Sequence, residues 1–294
     1  MPINNTGQGN SLNTAIKQIA LGHVFKVHAR IVECIHRKYR SNGWAYDPHY
    51  VYIDLNAGTG TNDDGRPGSP VIAQRVIAEE FKHDLSGVAI EQNEEAFSLL
   101  SQAMTGFQGW QLIQGDNNEK FGTQLLPSPG KSPFFGLVYA DPNGVKDRLP
   151  LPAMTQFFRQ YNARKLDVLI HISATALKRV KGAGTGTEDL QSIMAAIRKD
   201  CWFIRDSFGP WQWTFLFGTN WYGWPELNLR VDGIDIQNIY QLGLRRIRSP
   251  EGQAIFSKLF FTHAQQKKRL MPLPIDPTVS IYDIQNSLPF EPKL

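Results

Sequence analysis

The 294-residue sequence predicts a doubly wound α/β fold, with a mostly parallel seven-stranded sheet and an N-terminal helical extension. Two observations predict it. Short apolar runs alternate with stretches of helical periodicity from about residue 50 onward, an order that calls for parallel strands joined by right-handed crossovers. The first of those runs ends in a Gly-x-Gly turn, where a strand gives way to a ligand-binding loop in folds of this kind. In such a sheet the binding crevice lies beyond the carboxyl ends of the strands, so the residues at those ends are the candidates for chemistry.

The elements follow in order. Ile16, Ile19, Val24, Val27, Ile31 and Ile35 recur at helical spacing, with Lys17, Lys26, Arg30, Arg37, Lys38 and Arg40 largely between them. This predicts one long amphipathic helix, or two joined near Gly22, within an extension over residues 1–50. Gly43 and the Asp47-Pro48 pair then punctuate the chain. Strands are predicted at Val51–Leu55, Gly87–Ile90, Trp110–Gln114, Phe135–Ala140, Val168–Ile172, Thr214–Gly218 and Lys258–Thr262. Helices are predicted at Pro70–Lys82, Glu94–Met104, Pro152–Arg159 and Glu188–Arg198. Together they make a domain over 51–266, followed by a basic, then Pro-rich tail over 267–294.

Composition excludes several classes. With 41% hydrophobic and 20% charged residues the chain has the material for a sizeable core, against global disorder. The two cysteines, Cys34 and Cys201, stand far apart with no metal-ligand spacing, against a disulfide framework or a zinc site; two reduced, buried thiols are expected. The first ten residues are polar and no run approaches the roughly 18 apolar residues of a membrane span, so a cytoplasmic location without membrane contact is the expectation.

The first strand runs into Asp54-Leu55-Asn56-Ala57-Gly58-Thr59-Gly60, and the next helix starts only at Ser69-Pro70, after a polar loop. A dinucleotide site calls for a third glycine and an immediate helix, which counts against a nicotinamide cofactor. A carboxylate four residues before the first glycine instead suits a ligand carrying an ammonium group. Glu91, at the second strand's end, has the chemistry to accept both hydroxyls of a ribose. Gly115-Asp116-Asn117-Asn118, at the third, offers an acid and an amide to the edge of an adenine. Each feature alone also reads as a tight turn or a solvated loop residue. Their order on successive strand ends favours a nucleotide-like ligand.

The fourth strand ends in Asp141-Pro142-Asn143-Gly144. Pro142 fixes its backbone, and Asp141 and Asn143 together have the acceptors to hold an amine with its lone pair aimed at an electrophile. The same four residues are a strong turn signal, and both readings are compatible.

These motifs, with Gly68-Ser69-Pro70-Val71-Ile72-Ala73, resemble the ordered motifs of the three-Cys-motif partner proteins, within the class I methyltransferases. The likeness covers roughly Lys26 to Thr175, about half the chain. The resemblance implies a Rossmann-like sheet and S-adenosylmethionine held by Asp54, Asn56, Ala57, Gly58, Thr59, Gly60, Glu91, Asp116 and Asn117. It further implies an Asp141-Pro142-Asn143 motif where amino-methyltransferases act on nucleic-acid bases. Two departures stand out: Asn56 replaces the aromatic usual in the first motif, and Gly144 cannot stack a flipped base as an aromatic would.

Lys178-Arg179-Val180-Lys181, Arg245-Arg246-Ile247-Arg248 and Lys267-Lys268-Arg269 form three basic clusters in a chain of net charge +4. Each is an ordinary solvated face taken singly; together they favour DNA or RNA as a partner modestly. Trp202, Trp211, Trp213, Trp221 and Trp224 crowd into Asp200–Glu226, as core aromatics or as a stacking surface. His171, inside the fifth strand, reads as a core or rim histidine. The function expected is S-adenosylmethionine-dependent methylation of a nitrogen on nucleic acid; the alternative is a non-catalytic module of the same fold that binds nucleic acid or a partner protein.

Overall fold

The computed structural model describes residues 12–43, 48–62, 65–126, 134–142, 149–160, 162–173, 186–206, 213–221, 230–231, 234–235 and 242–260. Helix α1 (Leu12–Ser41) leads into β1 (His49–Asp54), α2 (Ser69–Glu80), β2 (Asp84–Glu91), α3 (Glu94–Ala103), β3 (Trp110–Gln114) and the short α4 (Asn117–Lys120). Then come β4 (Phe134–Ala140), α5 (Leu151–Arg159), β5 (Leu166–Ser173), α6 (Gly186–Ile197), β6 (Cys201–Arg205) and β7 (Trp213–Thr219). A two-residue pair, β8 (Arg230–Val231) and β9 (Ile234–Asp235), precedes β10 (Leu244–Arg246) and α7 (Pro250–Phe260). The sheet has eight strands in the order β10-β6-β7-β5-β4-β1-β2-β3. The strands from β3 to β5 pair in parallel, and β5-β7, β7-β6 and β6-β10 pair antiparallel. The order reverses beside β1, so the crevice the fold provides lies over β1, β2 and β4.

Six of the seven predicted strands stand within two or three residues of their expected bounds, and the doubly wound class holds. The seventh does not: Lys258 belongs to α7. Its start was readable, since Ser249 Oγ accepts the N–H of Gly252 at 3.1 Å and Pro250 opens the first turn. Phe256 and Leu259, a turn apart, face inward. Four strands went unpredicted, the short pair β8 and β9 and two members of the main sheet. β6 lies in the Trp-rich segment, and β10, three residues long, pairs with it from about 40 residues away with no local hairpin signal. The seven-stranded sheet is therefore eight-stranded.

α1 is a single helix through Gly22 and is integral to the core rather than peripheral to it. Leu21, Val24, Phe25, Ile31 and Val32 pack with Tyr52, Tyr139 and Phe217 of the sheet, and Phe25 meets Tyr52 edge-on at 5.3 Å. Ile16 and Ile19, expected on the inward face, are exposed at 43% and 60%. His28, buried on α1, is engaged through both ring nitrogens, which meet Tyr50 Oη at 2.6 Å and Asp167 Oδ2 at 3.3 Å. Cys201 is buried and Cys34 half-buried, and neither forms a disulfide among the described residues. Trp213 is core, and Trp221 packs half-buried against it; Trp211 and Trp224 fall outside the described residues, as do Lys178–Lys181 and the tail. No helix among the described residues is long and apolar enough to cross a membrane.

Candidate functional site

The carboxyl edge of the parallel strands gathers four acids. Asp54 ends β1, fully buried, and accepts from Tyr52 Oη at 3.0 Å and the Asn56 N–H at 3.1 Å. Burial pushes its carboxyl up to about 7, against the opposing pull of these hydrogen bonds and one from Ser69. It lies beneath the turn and holds it through the Asn56 N–H.

Above it, Gly58 and Gly60 adopt φ of 63° and 73°, the left-handed region where glycine is favoured. The Gly58 N–H donates to Glu91 Oε2 at 2.9 Å, and the Asn93 N–H to Oε1 at 2.8 Å. Glu91, half-exposed at the end of β2, thus clamps the turn with one lone pair on each oxygen and keeps the others for a ligand. Ala57 is buried and donates its N–H to Ile90 O, and Thr59 is buried with its hydroxyl on Thr61 O.

Gly60 has a second reason to be glycine. A Cβ there would sit 2.9 Å from Ala103 Cβ and 3.1 Å from Leu100 Cδ1 on α3. Gly60→Ala is expected to cost roughly 1–3 kcal/mol of stability through overpacking and a disfavoured φ. Urea denaturation measures it; unchanged stability would return Gly60 to a ligand-only role.

At the end of β3, Asp116 caps α4 by accepting from the Asn118 N–H at 2.8 Å, and that bond holds its carboxyl low. Asn117 is buried and donates Nδ2 to Leu55 O at 3.0 Å, tying the ends of β3 and β1 together. Its amide is thereby committed to the fold, and Asp116 is the more exposed member of the pair.

Asp141, one residue beyond β4, is the most heavily engaged of the acids. Lys17 Nζ donates to Oδ2 at 2.6 Å, His171 Nδ1 lies 2.6 Å from Oδ1, and the Asp141 N–H reaches Asn56 Oδ1 at 3.3 Å. Burial alone would raise this carboxyl; Lys17 and His171 outweigh it and hold it far below the usual range. Tyr139 Oη is buried beside Asp141 and Asp54, and burial with that negative charge pushes it well above an ordinary phenol. Pro142 is buried, and Asn143 lies outside the described residues.

Two residues of this constellation were not expected from the sequence. Lys17 read as one cation on the polar face of a helix, and His171 as a core histidine. The signal for His171 exists only in the sheet: β5 runs parallel beside β4 with Ala140 opposite Ile170, so their next residues, Asp141 and His171, are neighbours.

No protein-family model matches the chain, and no curated protein matches it. Solved structures with a similar backbone include protein LPL1258 from Legionella pneumophila str. Philadelphia 1, at 14% identity over 70% of this chain and 88% of that one, with a TM-score of 0.44. The O-methyltransferase TomG from Streptomyces achromogenes, solved with SAM, aligns at 14% identity over 67% and 79% of the two chains, with a TM-score of 0.40. The fibrillarin pre-rRNA processing protein of Methanococcus jannaschii aligns at 16% identity over 59% and 66%, with a TM-score of 0.36.

Proposed function

We propose that the protein is an S-adenosylmethionine-dependent methyltransferase of the three-Cys-motif partner kind, acting on a nitrogen of a nucleic-acid acceptor. The observation that carries the reading is the clamp of Glu91 on Gly58, which places an oriented carboxylate with spare lone pairs beside a left-handed glycine turn at the sheet's crevice. The donor set suits the cofactor. Glu91 is available to the ribose hydroxyls, Gly58 keeps the turn free of a side chain, Asp116 is open at the adenine side, and Asp54 beneath the turn, when ionised, favours a cationic ligand. When bound, the cofactor supplies an electrophilic methyl group.

The protein's own part is to hold both reactants in line and to exclude water. The acceptor meets the methyl group at the Asp141-Pro142 end of β4, the strand next to the one that carries the glycine turn. Net charge +4 supports a polyanionic acceptor, whereas on α1 Lys17, Lys26, Arg30, Arg37 and Arg40 are paired with Asp141, Glu80 and Glu33. Within the Arg245–Arg248 cluster, Arg246 is drawn inward, donating to Cys201 Sγ and lying over Phe203, which leaves fewer cations there for phosphate.

Calorimetry with S-adenosylmethionine, S-adenosylhomocysteine and NAD tests the reading. Heats from the first two and none from NAD are expected; silence from the first two would defeat it and favour a non-catalytic binding module. Glu91→Ala is expected to weaken S-adenosylmethionine by roughly tenfold or more, since a charge-assisted hydrogen bond is worth about 1.5–3 kcal/mol. An unchanged dissociation constant in a folded variant would remove Glu91 from the site.

A further inference from the structure

We propose that His171 is the catalytic base of this transfer, positioned by Asp141, and that the acceptor is a nitrogen still bearing a hydrogen when it is methylated. The inference rests on the methyltransferase reading and deepens it. Its starting point is the state of the two ring nitrogens. Nδ1 lies 2.6 Å from Asp141 Oδ1. An ionised carboxylate only accepts, so Nδ1 carries the proton and the neutral ring keeps its lone pair on Nε2. That nitrogen is buried and has no hydrogen-bond partner among the described residues.

A buried polar atom is normally paired, as both ring nitrogens of His28 are with Tyr50 and Asp167. His171 Nε2 is set apart from the other buried polar atoms by its place, on a ring held by Asp141 at the carboxyl edge of the sheet. The ring of His171 is also held still. Trp213 and Phe215 of β7 lie against it, with ring centroids 5.4 and 5.8 Å away. The unpaired nitrogen therefore belongs to a side chain fixed at the carboxyl end of β5, next to the turn where the acceptor is placed. The charged group that meets the ring is Asp141 of β4, on which Lys17 of α1, Tyr139 of β4 and Asp54 of β1 act in turn, and β7 packs Trp213 and Phe215 against it.

The chemistry balances. The acceptor nitrogen's lone pair forms the bond to the methyl carbon while the methyl–sulfur bond breaks and its electron pair remains on sulfur. The N–H proton passes to His171 Nε2, and the imidazolium is stabilised by Asp141 until water takes the proton. An acceptor nitrogen with no hydrogen gains nothing from this device, so the site selects amines and amide-like N–H groups.

The test has two arms on the full-length protein. Nitrogen NMR, with His171 assigned by the signals missing from His171→Gln, reads the tautomer of the neutral ring. A proton on Nδ1 is expected, with Asp141→Asn shifting the population toward Nε2–H. Nε2–H in wild type overturns the proposal. In the second arm, radiolabelled S-adenosylmethionine is offered with pooled transfer RNA and pooled genomic DNA. His171→Gln is expected to lose about 100-fold or more of the transfer rate and the fall in rate toward acid pH, with S-adenosylmethionine affinity within about twofold of wild type. Equal rates and equal pH profiles overturn the base role and leave the cofactor reading standing. Absence of S-adenosylmethionine heat in wild type ends that reading and this role together. If wild type binds the cofactor but labels neither pool, or His171→Gln does not fold, the tautomer and its response to Asp141→Asn decide alone.

Discussion

Asp141→Ala is expected to lower methyl transfer by about 100-fold or more while leaving S-adenosylmethionine affinity nearly unchanged. Its carboxylate shows no hydrogen bond to the glycine turn or to Glu91; residue 141 meets the turn's surroundings through its backbone N–H, which donates to Asn56 Oδ1 and which alanine keeps. What alanine removes is the acceptor of two contacts at 2.6 Å, from the Lys17 ammonium and from His171 Nδ1. His171 then loses the bond that selects its tautomer, and Lys17 is left 22% exposed with no counter-charge from Asp141. Removing one member of a largely buried ion pair costs about 3 kcal/mol or more, so a fall in denaturation midpoint accompanies the loss of activity. The pH dependence has a definite sign. This carboxyl is held below its unfolded value, so its stabilisation is complete at neutral pH and is lost as pH falls through and below the ordinary carboxylate range. Wild type and Asp141→Ala should converge in stability in acid. Transfer by the variant at the wild-type rate would remove Asp141 from the reaction.

Much of this site was legible in the sequence because strand ends are legible. Asp54, Glu91, Asp116 and Asp141 each follow an apolar run at a turn signal, and a doubly wound sheet brings such ends together whatever lies between them. What was not legible was the direction of each side chain. Asp54 and Asn117 are drawn under the loop and into the fold, because Tyr52 and the Leu55 carbonyl offer them buried partners that only the register reveals. Lys17 and His171 were hidden for a different reason. They lie 124 and 30 residues from Asp141, on a helix and a strand whose own patterns explain them completely. The misassigned last strand was an error of period: Lys258-Leu259-Phe260-Phe261 is an apolar run that fits a strand or a buried helix face equally, and the cap at Ser249 was the arbiter.

Asp54→Asn is expected to reverse one component of the protein's pH dependence. The carboxyl of Asp54 is raised from 3.8 to about 7, first by burial and with Asp141 adding to the rise. A folded state that binds a proton more tightly than the unfolded chain loses stability as pH climbs between the two values, from about 4 to about 7, the opposite sign to Asp141. At roughly 1.4 kcal/mol per unit, the ionisation of Asp54 withdraws roughly 4 kcal/mol across that window. Asparagine keeps the shape and the acceptor for the Asn56 N–H, and cannot ionise. The variant should therefore gain on wild type by that amount between pH 4 and pH 8, as read from urea midpoints at a series of pH values. The same proton enters binding. Negative charge under the turn is what a cationic ligand favours, so wild type should release a fraction of a proton on binding S-adenosylmethionine near pH 6.5, seen as a buffer-dependent heat, and Asp54→Asn should not. Parallel stability curves for the two proteins would show that Asp54 is already ionised in the fold, held by Tyr52, Asn56 and Ser69 against its burial.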